Sequence, residues 1–374
     1  MQISLVRPKG IKKEDMLKMS QDAARVCYSE KDFDDIEEEE KNEGLMEHIM
    51  KNGHHSQFEH VNLTFYFKEI PKAFAMLLNN EKQYATSEKS ARYTQMRFDD
   101  PSQKERYGVW KERLKGEIEK IYPKSGNPEK RAEKIRKLCL ENARYMTSVF
   151  TPCKMLHTIN LRQLNFLVHG LERYSEDFSK SPFHRKLESS IGEFISQTKD
   201  YRIDLLKNQT DRRLSLFSDR NFEEHFGDVY STSYRISFAG LAQAQRHRTI
   251  SYNVLGGYGL NAPLGFFIPP IIRSDDALRK DWLDDLKEIS KTDFPQAQLI
   301  KVNERGRMED FRSKALLRLC GHAQYEIMEN TKMTADRYSA HMPEVKGWIS
   351  TKCSQGFKCE DPCMLGKKGI ERIV

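Results

Sequence analysis

The stretch QRHRTISYNVLGGYG (245–259) decides how the rest of the chain reads. Arg246, His247 and Arg248 set three cationic or potentially cationic side chains in a row, a pattern suited to an anion. The stretch then loses its charge and ends in glycines. Nothing polar at 254–259 finishes an anion site, so the missing groups have to come from elsewhere. The segment KQYATSEKSARYTQM (82–96) offers them, with Glu88, Ser90, Arg92 and Tyr93.

Outward from these two segments, a similar order of elements recurs. HVNLTFYFKEI (60–70) alternates as a strand, with Val61, Leu63, Phe65 and Phe67 on one face. PKAFAMLLNNEKQYA (71–85) predicts a helix with proline in its first turn. Two charged amphipathic helices are expected over 107–122 and 128–146, around the turn PKSGNP. A further helix is expected over 156–174, packing Leu156, Ile159, Leu164 and Leu167. DVYSTSYRI (228–236) is again strand-like, and SFAGLAQAQRHR (237–248) helix-like. A charged segment (274–310) and a helix over 311–331 follow. Laying Asn80 on Arg246 sets Ile70 on Ile236 and Ala73 on Ala239. The expected fold is α+β, built from two diverged copies of one unit, each an antiparallel sheet with long helices. The first copy spans 1–205, the second 206–345, and a cysteine-containing tail 346–374.

Composition bounds the partners. The chain has 374 residues and a net charge of +7, a mild bias toward anions such as nucleotides. The charged helices mix Lys and Arg with Glu and lack a stacking aromatic platform, so nucleic acid is not the expected partner. No apolar run suits a signal peptide or a membrane span, and seven cysteines do not suggest a disulfide framework. The expected location is the cytoplasm, with no membrane association.

Arg246-His247-Arg248, then Ser251 and Asn253, resemble the signature of flavin-dependent thymidylate synthases, R-H-R-x-x-S-x-N-E-x-S-x-R-Y. Phe266-Phe267-Ile268-Pro269 follows at a spacing that suits the family. The second part of the signature is absent at 254–259. In the first copy the situation reverses. Asn80-Glu81-Lys82 stands where R-H-R belongs, and Ala85 and Ser87 replace Ser and Asn. Yet Glu88, Ser90, Arg92 and Tyr93 match E-x-S-x-R-Y in register.

Other family islands divide the same way. His54, Ser56, Glu59 and His60 resemble the family's upstream H-x-T-x-x-E-H element, and only the first copy has them. The glutamine three residues before R-H-R is Gln243 in the second copy and Leu77 in the first. Arg144, Asn160 and Arg162 match the family's phosphate arginine and N-x-R element, where the second copy has Arg307 and Glu309. The family's terminal R-x-x-x-H-A-Q-W-E-I is met by Arg318 and His322-Ala323-Gln324-Tyr325-Glu326-Ile327.

The resemblance implies the roles. Family members are homotetramers with active sites between subunits, so two chains of this kind are expected to pair as a homodimer that mimics the tetramer. Arg318 is expected to stabilise negative charge on the uracil. Arg92 and Arg144 would clamp a 5′-phosphate, Ser90 and Gln243 would bond phosphate or base, and Glu88 would fix loop geometry or a sugar hydroxyl. Arg246, His247, Arg248, Ser251 and Asn253 would hold FAD, together with Ser56, Glu59, Asn160 and Arg162. His54 and Tyr93 are the expected folate contacts over the flavin, and His60 a structural hydrogen bond. The implied reaction is flavin-dependent one-carbon transfer to C5 of a deoxyuridine nucleotide. Its leading form takes dUMP to dTMP with methylenetetrahydrofolate and NADPH. Hydroxymethylation, another pyrimidine nucleotide, an inactive flavin or nucleotide binder and an RNA-directed uridine modifier stay open as alternatives.

Two cysteine and histidine groups raise metal chemistry. His54, His55 and His60 are close in sequence, but adjacent histidines in a strand would point to opposite faces. Cys353, Cys359 and Cys363 lack a standard C-x-x-C spacing, so a reduced or redox-responsive set is expected there rather than a metal. Cys153 is read as a buried thiol.

Overall fold

The computed structural model describes residues 1–94, 96–98, 100–122, 127–178, 180–206, 212–217, 222–256, 260 and 264–358. Strand β1 (Gln2–Arg7) leads into helices α1 (Lys13–Val26), α2 (Phe33–Glu37) and α3 (Glu43–Lys51). Strand β2 (Asn62–Pro71), α4 (Lys72–Leu78) and β3 (Ala85–Glu88) follow. Two long helices, α5 (Pro101–Ile121) and α6 (Pro128–Ala143), precede β4 (Pro152–Asn160), α7 (Leu161–Phe178) and α8 (Pro182–Gln197). The later part holds β5 (His225–Phe226), β6 (Val229–Ser237), α9 (Phe238–Ala244), β7 (Ser251–Val254) and α10 (Pro270–Arg273). It ends with α11 (Asp276–Ser290), β8 (Leu299–Arg307), α12 (Met308–Arg318) and α13 (Tyr325–His341). The protein is α+β, with antiparallel sheets and many helices. Among the described residues, no helix is long and apolar enough to cross a membrane.

The chain forms two compact units, each discontinuous in sequence. The first comprises Met1–Lys89 and Pro152–Ser215, the second Ser90–Thr151 and Leu216–Val374. The first unit holds a four-stranded sheet ordered β1-β2-β4-β3. Leu63, Phe65 and Phe67 alternate inward along β2, as their period of two predicts. Phe67 and Phe74 both meet Phe194 of α8, at centroid distances of 6.3 and 5.9 Å. Each fully buried phenylalanine stabilises this face by about 1.5–3 kcal/mol.

The second unit holds a sheet ordered β5-β6-β8-β7. The register agrees as well. Ala85 opens β3 opposite Thr158, two residues before the end of β4, and Ser251 opens β7 opposite Arg305, two residues before the end of β8. One difference is a bulge in β2 between Lys68 and Ile70, where Glu69 has φ of 62°. The inserted residue turns Ile70 inward, so the first sheet buries it out of phase with Phe67.

Several element boundaries differ from the sequence expectation. The helix expected over 71–85 ends at Leu78, because Asn79 leaves helical geometry and 85–88 pairs with β4. Pro71 caps that helix from the strand side rather than lying in its first turn. The segment 156–160, expected to open a helix, belongs to β4, and Leu156 faces outward at 41% exposure. The helix expected over 311–331 is two helices, broken at 319–324, where Gln324 is extended. The histidines of GHHSQFEH lie at and beside a short 3₁₀ turn (His55–Glu59) rather than in a strand. The PKSGNP turn lies largely outside the described residues.

A close approach explains one glycine. A Cβ on Gly240 of α9 would meet Ile236 Cγ1 at 2.5 Å and Glu326 Oε2 at 2.8 Å. Gly240→Ala is therefore expected to destabilise the fold by about 1–3 kcal/mol despite alanine's better helix propensity. Urea unfolding checks this, and an unchanged or raised midpoint would contradict the packing.

Candidate active site

The second unit gathers most of the residues singled out in the sequence. Helix α9 ends at Ala244, and two tight turns carry Arg246, His247 and Arg248 into β7, where Ser251 and Asn253 lie. Gln243 sits in the last turn of α9. Arg318 is the final residue of α12, and Arg144 follows α6. Ser90, Arg92 and Tyr93 also belong to this unit.

Buried anchors fix these elements. Glu326 accepts from Ser237 N at 2.6 Å, Ser237 Oγ at 2.6 Å and Tyr145 Oη at 2.7 Å. Ser237 in turn caps α9 by accepting from Gly240 N. Burial pushes the Glu326 carboxyl up, against those donors. Gln324 accepts from Arg144 Nη2 and donates to Tyr145 Oη. The HAQYEI segment thus ties the start of α9 to Arg144 through side chains that the sequence reading left without roles. The sequence did carry a signal in the glutamine and glutamate of that segment. Glu141, also passed over, pairs with Arg92, whose Nη2 donates to the His322 carbonyl at 2.9 Å.

The electrostatics are lopsided. Burial works most strongly against the Arg92 charge, but Glu141, Tyr93 and Tyr145 together hold the pKa above its ordinary value. Arg144 is buried and pulled down. Arg318 is pulled down by burial first, then by the Arg92 and Arg246 charges. Its Nε donates to His247 Nε2 at 2.8 Å. Among the described residues, no carboxylate pairs with Arg318 and neither Nη has a hydrogen-bond partner. Burial, then Arg318 and Lys314, push His247 down to about 3, so it is neutral at pH 7. The R-H-R run therefore carries two charges rather than three. Buried atoms without hydrogen-bond partners among the described residues include Gln243 Oε1 and Arg144 Nε. Such orphans are costly unless a ligand or water satisfies them.

The remaining candidates lie in the first unit. Glu88, almost fully buried, accepts from Lys72 Nζ at 2.5 Å and from Asn79 Nδ2 at 3.4 Å. These bonds tie β3 to both ends of α4. Asn160 Oδ1 accepts from Gln163 N at 2.7 Å at the start of α7. Arg162 pairs with Glu59 at 2.6 Å. Ser56 bonds Gln57, His54 is exposed, and buried His55 meets the Met50 carbonyl at 3.0 Å. Where R-H-R would fall, Glu81 is fully buried and accepts from Ser215 Oγ at 2.9 Å. Among the described residues, no group of three or more His, Cys, Asp or Glu could hold a metal ion. Cys353 is exposed and Cys153 buried. Cys359, Cys363 and 257–259 lie outside the described residues.

Comparison with known proteins adds a separate line. Residues 11–171 match a family model described as "Thymidylate synthase complementing protein". A flavin-dependent thymidylate synthase from Pseudothermotoga lettingae is 30% identical over 165 residues, covering 41% of this chain and 71% of that protein. Thymidylate synthase X from Helicobacter pylori, crystallised with FAD and dUMP, is similar over 56% of this chain and 100% of its own, at 18% identity and a TM-score of 0.34. The UMP/dUMP methylase PolB from Streptomyces cacaoi, bound with 5-Br dUMP, matches over 45% and 76%, at 18% identity and a TM-score of 0.30.

Proposed function

The chain belongs to the flavin-dependent thymidylate synthase family, and from that premise we propose that it transfers a one-carbon unit to C5 of a deoxyuridine nucleotide. The leading form is methylation of dUMP to dTMP, with FAD as cofactor and methylenetetrahydrofolate and NADPH as cosubstrates. One observation carries this reading. Arg318 is a largely buried guanidinium without a carboxylate partner among the described residues, set where the charges of Arg92 and Arg246 both reach it. Guanidinium charges held together in a partly dry site are costly until an anion joins them.

The residues fit a flavin and a nucleotide. The orphaned Gln243 Oε1 can accept from an imide N–H, and Arg144 Nε can donate to a phosphate. Arg246 and Arg248 are exposed beside them, suited to phosphates. When bound, the flavin supplies the redox and one-carbon carrier chemistry. The chain's own residues position and polarise. Arg318 stabilises negative charge on the pyrimidine as C5 becomes nucleophilic. Arg92 and Arg144 hold the phosphate, with Ser90 beside them. His54 and Tyr93 remain the proposed folate contacts, and Asn160 and Arg162 the proposed flavin contacts.

We read the chain as a tandem duplication, copies at 1–205 and 206–345 with the tail 346–374, in which each copy kept what the other lost. The shared strand order and register support this. Two chains would then pair to give two working sites.

Tritium release from C5-labelled dUMP tests the function. Release that requires folate and reductant, from a protein with flavin absorbance, is the expected result. Tight binding of flavin and dUMP without release would instead identify an inactive binder and overturn the proposal.

A further inference from the structure

The contact between His247 and Arg318 has a direction. Arg318 Nε can only donate, so His247 Nε2 accepts and the imidazole proton resides on Nδ1. Two turns fix the main chain at this position, since His247 N donates to the Ala244 carbonyl at 3.0 Å and Ile250 N donates to the His247 carbonyl at 3.1 Å. Among the described residues, Nδ1 has no partner, and neither does either Nη of Arg318. Of the other charges that reach this pair, Arg92 is tied to Glu141, and Lys314, one turn earlier on α12, is occupied with Glu304 at 2.6 Å. The two Nη groups of the guanidinium, with four N–H donors between them, are thus left for a ligand.

We propose that His247 is a positioning residue for Arg318, holding the Nε edge of the guanidinium through Nε2 so that both Nη groups meet the bound nucleotide. This differs from a flavin contact, the role that the R-H-R pattern first suggests. A free arginine side chain samples many rotamers, and a carboxylate partner would neutralise it. An imidazole acceptor fixes the same geometry while leaving the charge uncompensated. Substituting Arg318 by Lys would not reproduce it, because an ammonium lacks the paired edges. The inference rests on the proposed function for its kinetic consequence, but the contact itself is tested without turnover.

Three variants at His247, the variant Arg318→Met and one spectrum decide it, all on the full chain as purified. Glutamine at 247 returns an acceptor near the Nε2 position, asparagine offers its amide near Nδ1, and alanine offers neither. In ¹⁵N-histidine NMR, the signal that disappears in His247→Gln is expected to show an unprotonated Nε2, and to shift in Arg318→Met. In tritium release, His247→Ala and His247→Asn are expected to lose about 100-fold in kcat, the scale of a misplaced catalytic group. KM for dUMP and flavin content are expected to change less than about threefold, and His247→Gln to recover most of kcat. A protonated Nε2, a glutamine variant as poor as alanine, or flavin lost in step with activity would each overturn the positioning role. Should the wild type release no tritium, the proposed function fails. The imidazole signal, followed during dUMP titration, still decides the contact.

Discussion

Arg318→Met is expected to lower tritium release by about 100- to 1,000-fold while the purified protein keeps its flavin colour. The variant preserves length and much of the packing but removes a charge that no carboxylate among the described residues balances. In the resting protein that removal relieves repulsion from Arg92 and Arg246, so stability is expected to hold or rise slightly. In the reacting complex it leaves the developing negative charge on the pyrimidine without its nearest stabiliser. The split between intact folding and lost turnover is what separates this role from a structural one. Equal loss of flavin and activity would show that Arg318 holds the cofactor instead.

Lys314→Met is expected to cost about 3–5 kcal/mol, read as a lower urea midpoint. Lys314 and Glu304 are both fully buried, and the ammonium meets Oε2 at 2.6 Å. Tyr230 Oη donates to Oε1 at 2.6 Å, and Tyr234 Oη donates to Oε2. Burial pulls Lys314 down against the raising effect of Glu304. Removing the ammonium strands a carboxylate in the core with only two phenols to hold it. The double variant Lys314→Met/Glu304→Gln is expected to recover part of the loss, because a neutral amide still accepts from a tyrosine. A single-variant cost below about 1 kcal/mol would mean that water or relaxation reaches the pair.

Periodicity made the strands and the charged helices legible. β2, β6, α5 and α6 lie close to where alternation and amphipathic spacing put them. Boundaries were harder where a strand runs straight into a helix, as at Asn160 and Leu161, because Leu156 and Ile159 of the strand also fit the helical spacing that continues at Leu164 and Leu167. The break at 319–324 was hidden because the flanking residues favour helix on both sides, and tertiary bonds to Arg92 and Arg144 hold the turn open. Which helices pack with which sheet was also not readable. Chain order would keep α5 and α6 with the first sheet, whose strands flank them, yet they belong to the second unit.

The candidate site's motif positions stand out in the sequence, while the buried partners that hold them, Glu141, Gln324 and Glu326, do not. Arg92, Arg144 and Arg318 stand out as arginines at motif positions. The neutrality of His247 comes from burial and from two neighbouring charges, which no linear pattern shows. Gln324 and Glu326 look like ordinary helix-start residues until their buried bonds to Arg144 and Tyr145 are seen.

Soaking or co-crystallising the protein with dUMP and FAD puts the whole proposal at stake. Arg92 and Arg318 are expected to place guanidinium nitrogens within about 3.2 Å of one and the same nucleotide. A nucleotide held by only one of them, or seated away from both, would contradict the account.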